Sequence, residues 1–296
     1  MKIKTGLSRK IFLCINYTFL GVTALLCLLP FVHLLALSFS GSVPVAAGSV
    51  GLWPRDFTFA SYQFALKSPY FFRTMGNSFV RVVLGAGLNL LLMLLMAYPL
   101  SKPREKLLGR NIYMGICVFT MIFSGGLIPN YMVINQLGLM DTIWALVLPG
   151  ALPVYNMVIL MNFFRGLPPE LEDAALIDGA NEWCVLWRII VPVSKPGIAT
   201  VLLFCIVGHW NSWFDGIIYM NKMIHYPLQS YLQKMIMDME TMMRASGGDY
   251  VLLLSMMNAR TGRAAQLFLG ALPMLIVYPF LQKYFTKGLV LGSVKG

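Results

Sequence analysis

Residues 169–196, PELEDAALIDGANEWCVLWRIIVPVSKP, form a polar, proline-bounded insert between two strongly apolar segments. Two spacings mark it: D-A-A-x-x-D-G-A from Asp173 to Ala180, and I-x-x-P-x-x-x-P from Ile189 to Pro196. Pro168 and Pro169 suit the first turn of a helix, where a missing N–H costs nothing, and Glu170, Glu172 and Asp173 favour that helix's positive end. Gly179 after Asp178 is a natural break, because left-handed backbone is cheap only at glycine. A second short helix from about Asn181 would turn Trp183, Leu186, Trp187 and Ile190 toward a membrane or other helices, with Pro192 and Pro196 ending it. Ala174, Ala175 and Ala180 are small enough for a partner to approach the backbone. The expected product is a helix-turn-helix tied to the apolar segment that follows it. Such a pattern fits a docking loop, and it also fits an ordinary amphipathic interfacial loop.

Working outward, composition supplies the membrane. Of 296 residues 58% are hydrophobic and 12% charged, with a mean hydropathy of +0.71. Soluble domains are nearer half apolar and about a quarter charged, so the chain is an all-α integral membrane protein. The formal charge of +11 does not imply nucleic acid, since the basic residues flank apolar segments instead of interleaving with aromatics. Cys14, Cys27, Cys117, Cys184 and Cys205 have no paired spacing and read as small apolar residues, with neither a disulfide framework nor a metal site. Six apolar segments, at about 11–38, 75–100, 111–134, 142–165, 196–219 and 264–286, are long enough to cross a bilayer as helices. They make one transmembrane domain over 1–296, with outer loops at 39–74 and 220–263. The first segment is too long for a signal peptide and reads as a retained helix. Prolines such as Pro30, Pro99, Pro149, Pro153 and Pro273 predict kinks.

Lys and Arg set the orientation. With a cytoplasmic N-terminus, the inner pieces 1–10, 101–110, 166–195 and 287–296 carry 12 of them, against 8 in the longer outer pieces 39–74, 135–141 and 220–263. Cytoplasmic loops are the ones enriched in these residues. Both termini and the 166–195 insert are therefore expected inside, in a multi-pass protein of a bacterial cytoplasmic membrane.

The insert resembles the EAA loop of ABC importer permeases, E-A-A-x-x-x-G-A followed by I-x-L-P, with Ala174, Ala175, Asp178, Gly179, Ala180, Ile189, Pro192 and Pro196 in register. The leading Glu of that pattern is Asp173 here, with Glu172 beside it, and either carboxylate could make the contact that the resemblance implies with a basic residue of an ATPase. SGGLIPNYMVINQLGLMDT (124–142), WNSWF (210–214), YPLQ (226–229) and QKYFTKGLVLGSVKG (282–296) are similar to the carbohydrate branch of these permeases, within it the maltose-permease-like subunits of the LplC/YtcP type. The resemblance implies a type I importer permease fold of six transmembrane helices. It implies a second homologous permease subunit, two cytoplasmic ATPase subunits, an extracytoplasmic sugar-binding protein and an oligosaccharide substrate.

The chain has no G-x-x-x-x-G-K-[ST] phosphate loop and no catalytic constellation, so it reads as a transport subunit without a cofactor, ATP being hydrolysed by its partner. The competing reading is a standalone carrier or channel, or a permease for another solute. An ion-driven carrier needs ionisable groups within its spans, and Arg81, His209 and Asp215 are the candidates. Sugar recognition wants aromatic faces beside amides, which GHWNSWFDG (208–216) offers as Trp210, Asn211, Trp213 and Phe214, with Asn211 the leading ligand. Trp210 and Trp213 fit an interfacial aromatic belt equally well. Asn130, Asn156 and Asn162 are weaker candidates, because amides in membrane helices often bond neighbouring helices. The Met-rich stretch 235–243 reads as interface packing rather than a metal site.

Overall fold

The regular elements in the computed structural model of this protein, which describes residues 6–67, 69–245, 260–277 and 279, are all helices. Those that matter here are α1 (Leu7–Ser38), α2 (Pro69–Ser101), α3 (Arg110–Ile122), α4 (Leu127–Gln136), α5 (Val154–Arg165), α6 (Glu170–Ile177), α7 (Glu182–Val193), α8 (Lys195–Asn211), α9 (Phe214–Tyr219) and α10 (Leu228–Ala245). The chain divides into two compact units, Met1–Phe71 with Ile236–Ala271, and Phe72–Met235 with Leu272–Gly296.

In the first unit α1 runs 32 residues through Pro30 and is apolar on every side, yet it buries only Ala36 and Ser38. A helix apolar all round and largely uncovered by the described residues belongs in lipid or against another subunit. The loop that follows folds back on its end. Phe39 stacks on Phe57 at 5.3 Å and meets Tyr62 at 4.8 Å. The Ser38 and Tyr62 hydroxyls are 2.9 Å apart, and His33 Nδ1 lies 2.8 Å from the Gly51 carbonyl oxygen.

The second unit holds the main core. Met93, Leu94, Ala97 and Tyr98 of α2 recur at helical spacing and pack with Met157, Leu160, Met161 and Phe164 of α5, and with Val201 and Cys205 of α8. Gly197 allows α8 to meet α5 closely: a Cβ there would stand 2.7 Å from the Phe163 ring. A loop clasp joins two distant segments. Asp141 accepts the backbone N–H groups of Asn221 and Lys222 at 3.1 and 3.3 Å and lies 2.9 Å from His225 Nδ1. Burial alone would raise the Asp141 pKa, but the bonds from His225, Asn221 and Lys222 hold it below the ordinary carboxylate value.

Three expected spans are not continuous helices. Two helices, Leu7–Ser38 and Tyr70–Ser101, are by themselves long and apolar enough to cross a membrane; bent pairs raise the number to four. The expected span 111–134 is α3 and α4, bent by 110° at Phe123–Gly126. Ser124, Gly125 and Gly126 are poor helix formers, and Ser124 Oγ instead accepts the Gly126 N–H at 3.3 Å. The span 142–165 breaks between Pro149 and Pro153, leaving a short helix Ile143–Val147 and then α5. The span 196–219 stops at Asn211 and resumes as α9. The expected span 264–286 is helical over 264–277, its remainder falling largely outside the described residues. The Met-rich stretch lies in α10.

Candidate functional site

The insert folds as a stop, a turn and a start. The α6 helix begins at tandem prolines with three acids in its first turn. Its end is a Schellman closure: the Gly179 N–H donates to the Leu176 carbonyl at 3.1 Å, and the Ala180 N–H to the Ala175 carbonyl at 2.9 Å. Gly179 has φ +83°, the left-handed value this closure needs. Asn181 then caps α7, its Oδ1 accepting the Cys184 N–H at 2.8 Å. Within α7 residues Val185–Ile190 widen into a π turn directly before Pro192, which has no N–H to continue the α ladder. The α7 and α8 axes meet at 83° around Ser194.

Burial divides the pair into two faces. Ala175, Val185, Leu186 and Ile190 enter the main core. Asp173, Ala174, Leu176, Asp178 and Trp183 are exposed, and Ile177 at the tip is 86% exposed. An isoleucine so exposed sets an apolar side chain at the tip of a polar helix.

The buried face is fastened to the C-terminal end of α2. Glu172, its side chain 13% exposed, forms an ion pair with Lys102 and a second contact of 3.6 Å with Lys106. Asp173, 60% exposed, lies 3.7 Å from Lys106. The Tyr98 hydroxyl donates to Glu182 Oε2 at 2.5 Å, and the Lys102 ammonium sits 4.1 Å from the Tyr98 ring centre. Arg110 Nε and Arg165 Nη2 donate to the Leu100 carbonyl at 2.9 and 3.1 Å, filling an acceptor that the helix end leaves open. Lys102, Lys106, Arg110 and Arg165 thereby line a cleft of about 660 Å³ together with Glu172 and Asp173.

Farther along α2 and α8 lies a polar cavity of about 400 Å³, lined among others by Arg81, Asn89, Asn156, His209, Ser212 and Asp215. Arg81 grips Asp215 with both Nη atoms, at 3.1 Å between Nη1 and Oδ1. Asp215 Oδ1 also accepts the Ser212 hydroxyl and the Gly216 N–H, each at 2.9 Å. Asn89, oriented to satisfy its amide, donates to the Gly85 and Ala151 carbonyls at 2.9 and 3.1 Å and accepts from His209 Nε2 at 3.1 Å. The Asn156 amide has one partner among the described residues, the Cys205 sulfur at 3.5 Å. Its remaining hydrogen-bonding capacity is open to the cavity it lines.

Residues 89–290 match the family model described as "Binding-protein-dependent transport system inner membrane component". The chain belongs to that family. The permease is 42% identical over 291 residues to Protein LplC of Bacillus subtilis, covering 97% of this chain and 96% of that one. It is 38% identical over 293 residues to the polygalacturonan/rhamnogalacturonan transport system permease protein YtcP of the same organism, covering 98% and 100%. A crystal structure of a bacterial ABC transporter that imports the acidic polysaccharide alginate matches with TM-score 0.83 and 32% identity, covering 96% of the permease and all of that chain. The fold is that of an ABC importer permease, and the permease is a transport subunit of a membrane system that works with a binding protein and a separate ATPase.

The geometry sorts the residues named from sequence. Ala175 of the permease faces its own core, so its small size serves internal packing; Ala174 beside it is exposed. Leu186 and Ile190 are buried as expected of an inward face, whereas Trp183 and Trp187 are exposed. Trp210 is buried, with its ring 5.2 Å from Phe79 in an edge contact, and does not line the polar cavity. Asn211, Trp213 and Phe214 are exposed, and α8 ends at Asn211, so no continuous helix carries Asn211 and Phe214 on one face. Arg81, His209 and Asp215, named from sequence as the ionisable candidates within the spans, come together in one cavity. Lys102, Tyr98, Glu182 and Ile177 were not singled out. Glu172 and Lys102 are 70 residues apart, which local reading cannot bridge, but an isoleucine before Asp-Gly in a polar insert was a visible signal.

Proposed function

We propose that the permease is the translocating subunit of an ATP-driven importer of oligosaccharides. It spans the bacterial cytoplasmic membrane six times with both termini inside, as one domain. It pairs with a second homologous permease, sits on two ATPase subunits, and receives sugar from an extracytoplasmic binding protein. The observation that carries this reading is the two-faced insert: one face locked to α2 and the core, the other offering Asp173, Ala174, Ile177 and Asp178 to a partner. Asp173 is the docking carboxylate, because Glu172 is already engaged within the chain. Rigid-body movement of the ATPase then turns the insert together with α2 and switches the path between inward- and outward-open states. Sugar contacts come from the polar cavity, with Asn156 and Ser212 as hydrogen-bonding groups. Asn211, Trp213 and Phe214 are exposed neighbours in sequence, and Trp210 is packed support. Of the relatives that name a substrate, two above 30% identity name polygalacturonan/rhamnogalacturonan and alginate, which favours uronate-containing oligosaccharides as the class, whereas less similar ones name arabinooligosaccharides and diacetylchitobiose.

Reconstitution of the permease with its partner permease, ATPase and binding protein in proteoliposomes tests this directly. Uptake of labelled oligogalacturonide or oligoalginate that requires ATP is expected. The grouping of Arg81, His209 and Asp215 is the feature among the described residues that favours an ion-driven carrier. Uptake that follows an imposed ion gradient in the absence of the ATPase would replace the proposal with that reading.

A further inference from the structure

The two sides of α7 differ. Val185, Leu186 and Ile190 are buried in the core, whereas Trp183 and Trp187 are 63% and 42% exposed, with Arg188, Pro192 and Lys195 exposed beside them. The segment from Trp183 to Lys195 holds two cations and no acid. Neither Arg188 nor Lys195 makes an ion pair or a side-chain hydrogen bond among the described residues. Lys195 also stands at the first position of α8, where a cation meets the positive end of the helix and gains from an anion beside it. The α7 and α8 axes meet at 83°, so with α8 crossing the membrane α7 lies close to the membrane plane. Leu84, Leu88, Leu91, Leu95 and Pro99 of α2 follow at intervals of three and four on one helical face, and all are exposed or half-buried. That apolar strip leads into a cavity of about 290 Å³ walled by Leu95, Pro99, Leu107 and Leu186 and shared with Trp183. The charged groups of the cavity, Lys102, Lys106 and Glu182, are engaged with Glu172, Asp173 and Tyr98. It therefore offers apolar wall rather than a free ion, and it sets Trp183 beside the uncovered side of α2.

We infer that the outer face of α7 is a membrane anchor, seated in the cytoplasmic leaflet with Trp183 and Trp187 at headgroup level and Arg188 and Lys195 paired with the phosphates of anionic lipid. The inference rests on the proposed function, whose orientation puts the insert inside. Tryptophan suits that depth, because its ring is apolar and its indole N–H wants a polar partner. A helix lying in the interface plane binds through buried apolar area together with attraction of its cations to anionic lipid. Charge selects the occupant. The exposed face of α6 carries Glu170, Asp173 and Asp178, whereas that of α7 beyond Glu182 carries Arg188 and is followed by Lys195. An anionic leaflet attracts the second face and repels the first, so lipid takes α7 and leaves α6 to the ATPase. Because α7 begins directly after the Gly179 turn, an anchored α7 holds α6 at a fixed height below the leaflet.

The test reads tryptophan fluorescence of the whole permease–ATPase complex in nanodiscs. The signal that belongs to α7 is the difference between wild type and the Trp183→Phe/Trp187→Phe chain. Lipid brominated close to its headgroup should quench that signal strongly, and the aqueous quencher acrylamide only weakly. Brominated phosphatidylglycerol should bind about fivefold or more tightly than brominated phosphatidylcholine by this measure, and Arg188→Gln with Lys195→Gln should bring the two to equality. Quenching by acrylamide with none by brominated lipid would overturn the anchor. Protection from acrylamide that appears only when the ATPase is bound, again with no effect of brominated lipid, would assign the face to the ATPase instead. Equal binding of the two lipids in the wild type, or a preference that survives in the double glutamine variant, would remove the pairing with phosphate and with it the proposal. If the double phenylalanine chain fails to assemble, Trp187→Phe alone supplies the difference signal under the same criteria, and Arg188→Gln alone replaces a double glutamine variant that fails. The proteoliposome assay separates the two levels. Normal ATP-driven sugar uptake without lipid quenching of the α7 signal removes the anchor alone, and lipid quenching without ATP-driven uptake removes the importer reading while leaving α7 at the bilayer.

Discussion

At the residue scale, neighbouring alanines do different work. Ala175 is buried in the core and Ala174 is exposed on the proposed docking face. Ala175→Arg forces a long cation into a packed site, a cost of about 3 kcal/mol or more, and should lower the yield of monodisperse permease after detergent extraction. Ala174→Arg should leave the permease folded and inserted while abolishing co-purification with the ATPase; a normal pull-down with that variant would remove Ala174 from the contact. Gly179 is subtler: a Cβ there meets no atom within 4 Å, so Gly179→Ala costs only the left-handed strain, about 1 kcal/mol. Asp141 gives a pH signature. Its folded pKa is depressed, so its stabilisation is complete above the unfolded value of about 3.9 and is lost as pH falls through the folded value. The melting-temperature gap between wild type and Asp141→Asn should therefore close as the solution is acidified below the ordinary carboxylate range. A gap that persists unchanged at pH 3 would contradict the clasp.

At the element scale, the proposed coupling pair of α6 and α7 is attached to α2 as well as to α8. Glu172 joins α6 to Lys102, and Glu182 joins α7 to Tyr98, so a push on the exposed face reaches α2 through two contacts. Glu172→Gln should keep the ATPase bound but cut ATP-driven uptake about tenfold, in the usual range of coupling energies between sites. Asp173→Asn should do the reverse, weakening ATPase association first. Pull-down and uptake measured on both variants decide the assignment, and exchanged phenotypes would exchange the roles. How much of this was legible follows the reach of each interaction. Tandem prolines, an Asp-Gly break and a capping Asn act within a few residues, so the stop, turn and start of the insert could be read from 169–184 alone. The prolines at 149 and 153 announced kinks, but their combination with Gly150 ends the helix altogether. Ser124-Gly125-Gly126 was equally visible and was outweighed by the apolar run around it. Which alanine faces inward, and which acid finds Lys102, depends on packing between distant segments, and no local pattern carries that.

At the scale of the whole molecule, α2 reaches both regions to which the proposed mechanism assigns a role. Arg81 and Asn89 of α2 line the polar cavity, while Tyr98 and Lys102 at its end hold the coupling pair. The 21 positions from Arg81 to Lys102 span about 32 Å at 1.5 Å per residue, close to the thickness of a bilayer's hydrocarbon core. One helix therefore connects the proposed docking end to the cavity, and the two proposed functions should be separable by substitution. Asn156 offers the cleanest separation. It lines the cavity, its one described partner is a thiol, and an apolar replacement suits a membrane helix. Removing a hydrogen-bonding amide from a sugar site costs about 1–3 kcal/mol per unmatched hydroxyl. Asn156→Leu should thus lower uptake at limiting oligosaccharide by about tenfold, with membrane insertion, ATPase binding and substrate-free ATP hydrolysis unchanged. Asn211→Leu, altering an exposed residue outside the cavity lining, should have a smaller effect on uptake in the same proteoliposomes. If Asn211→Leu proved the more damaging of the two, sugar contact would move from the cavity to the exposed 211–214 segment, and Asn156 would be a helix-packing amide.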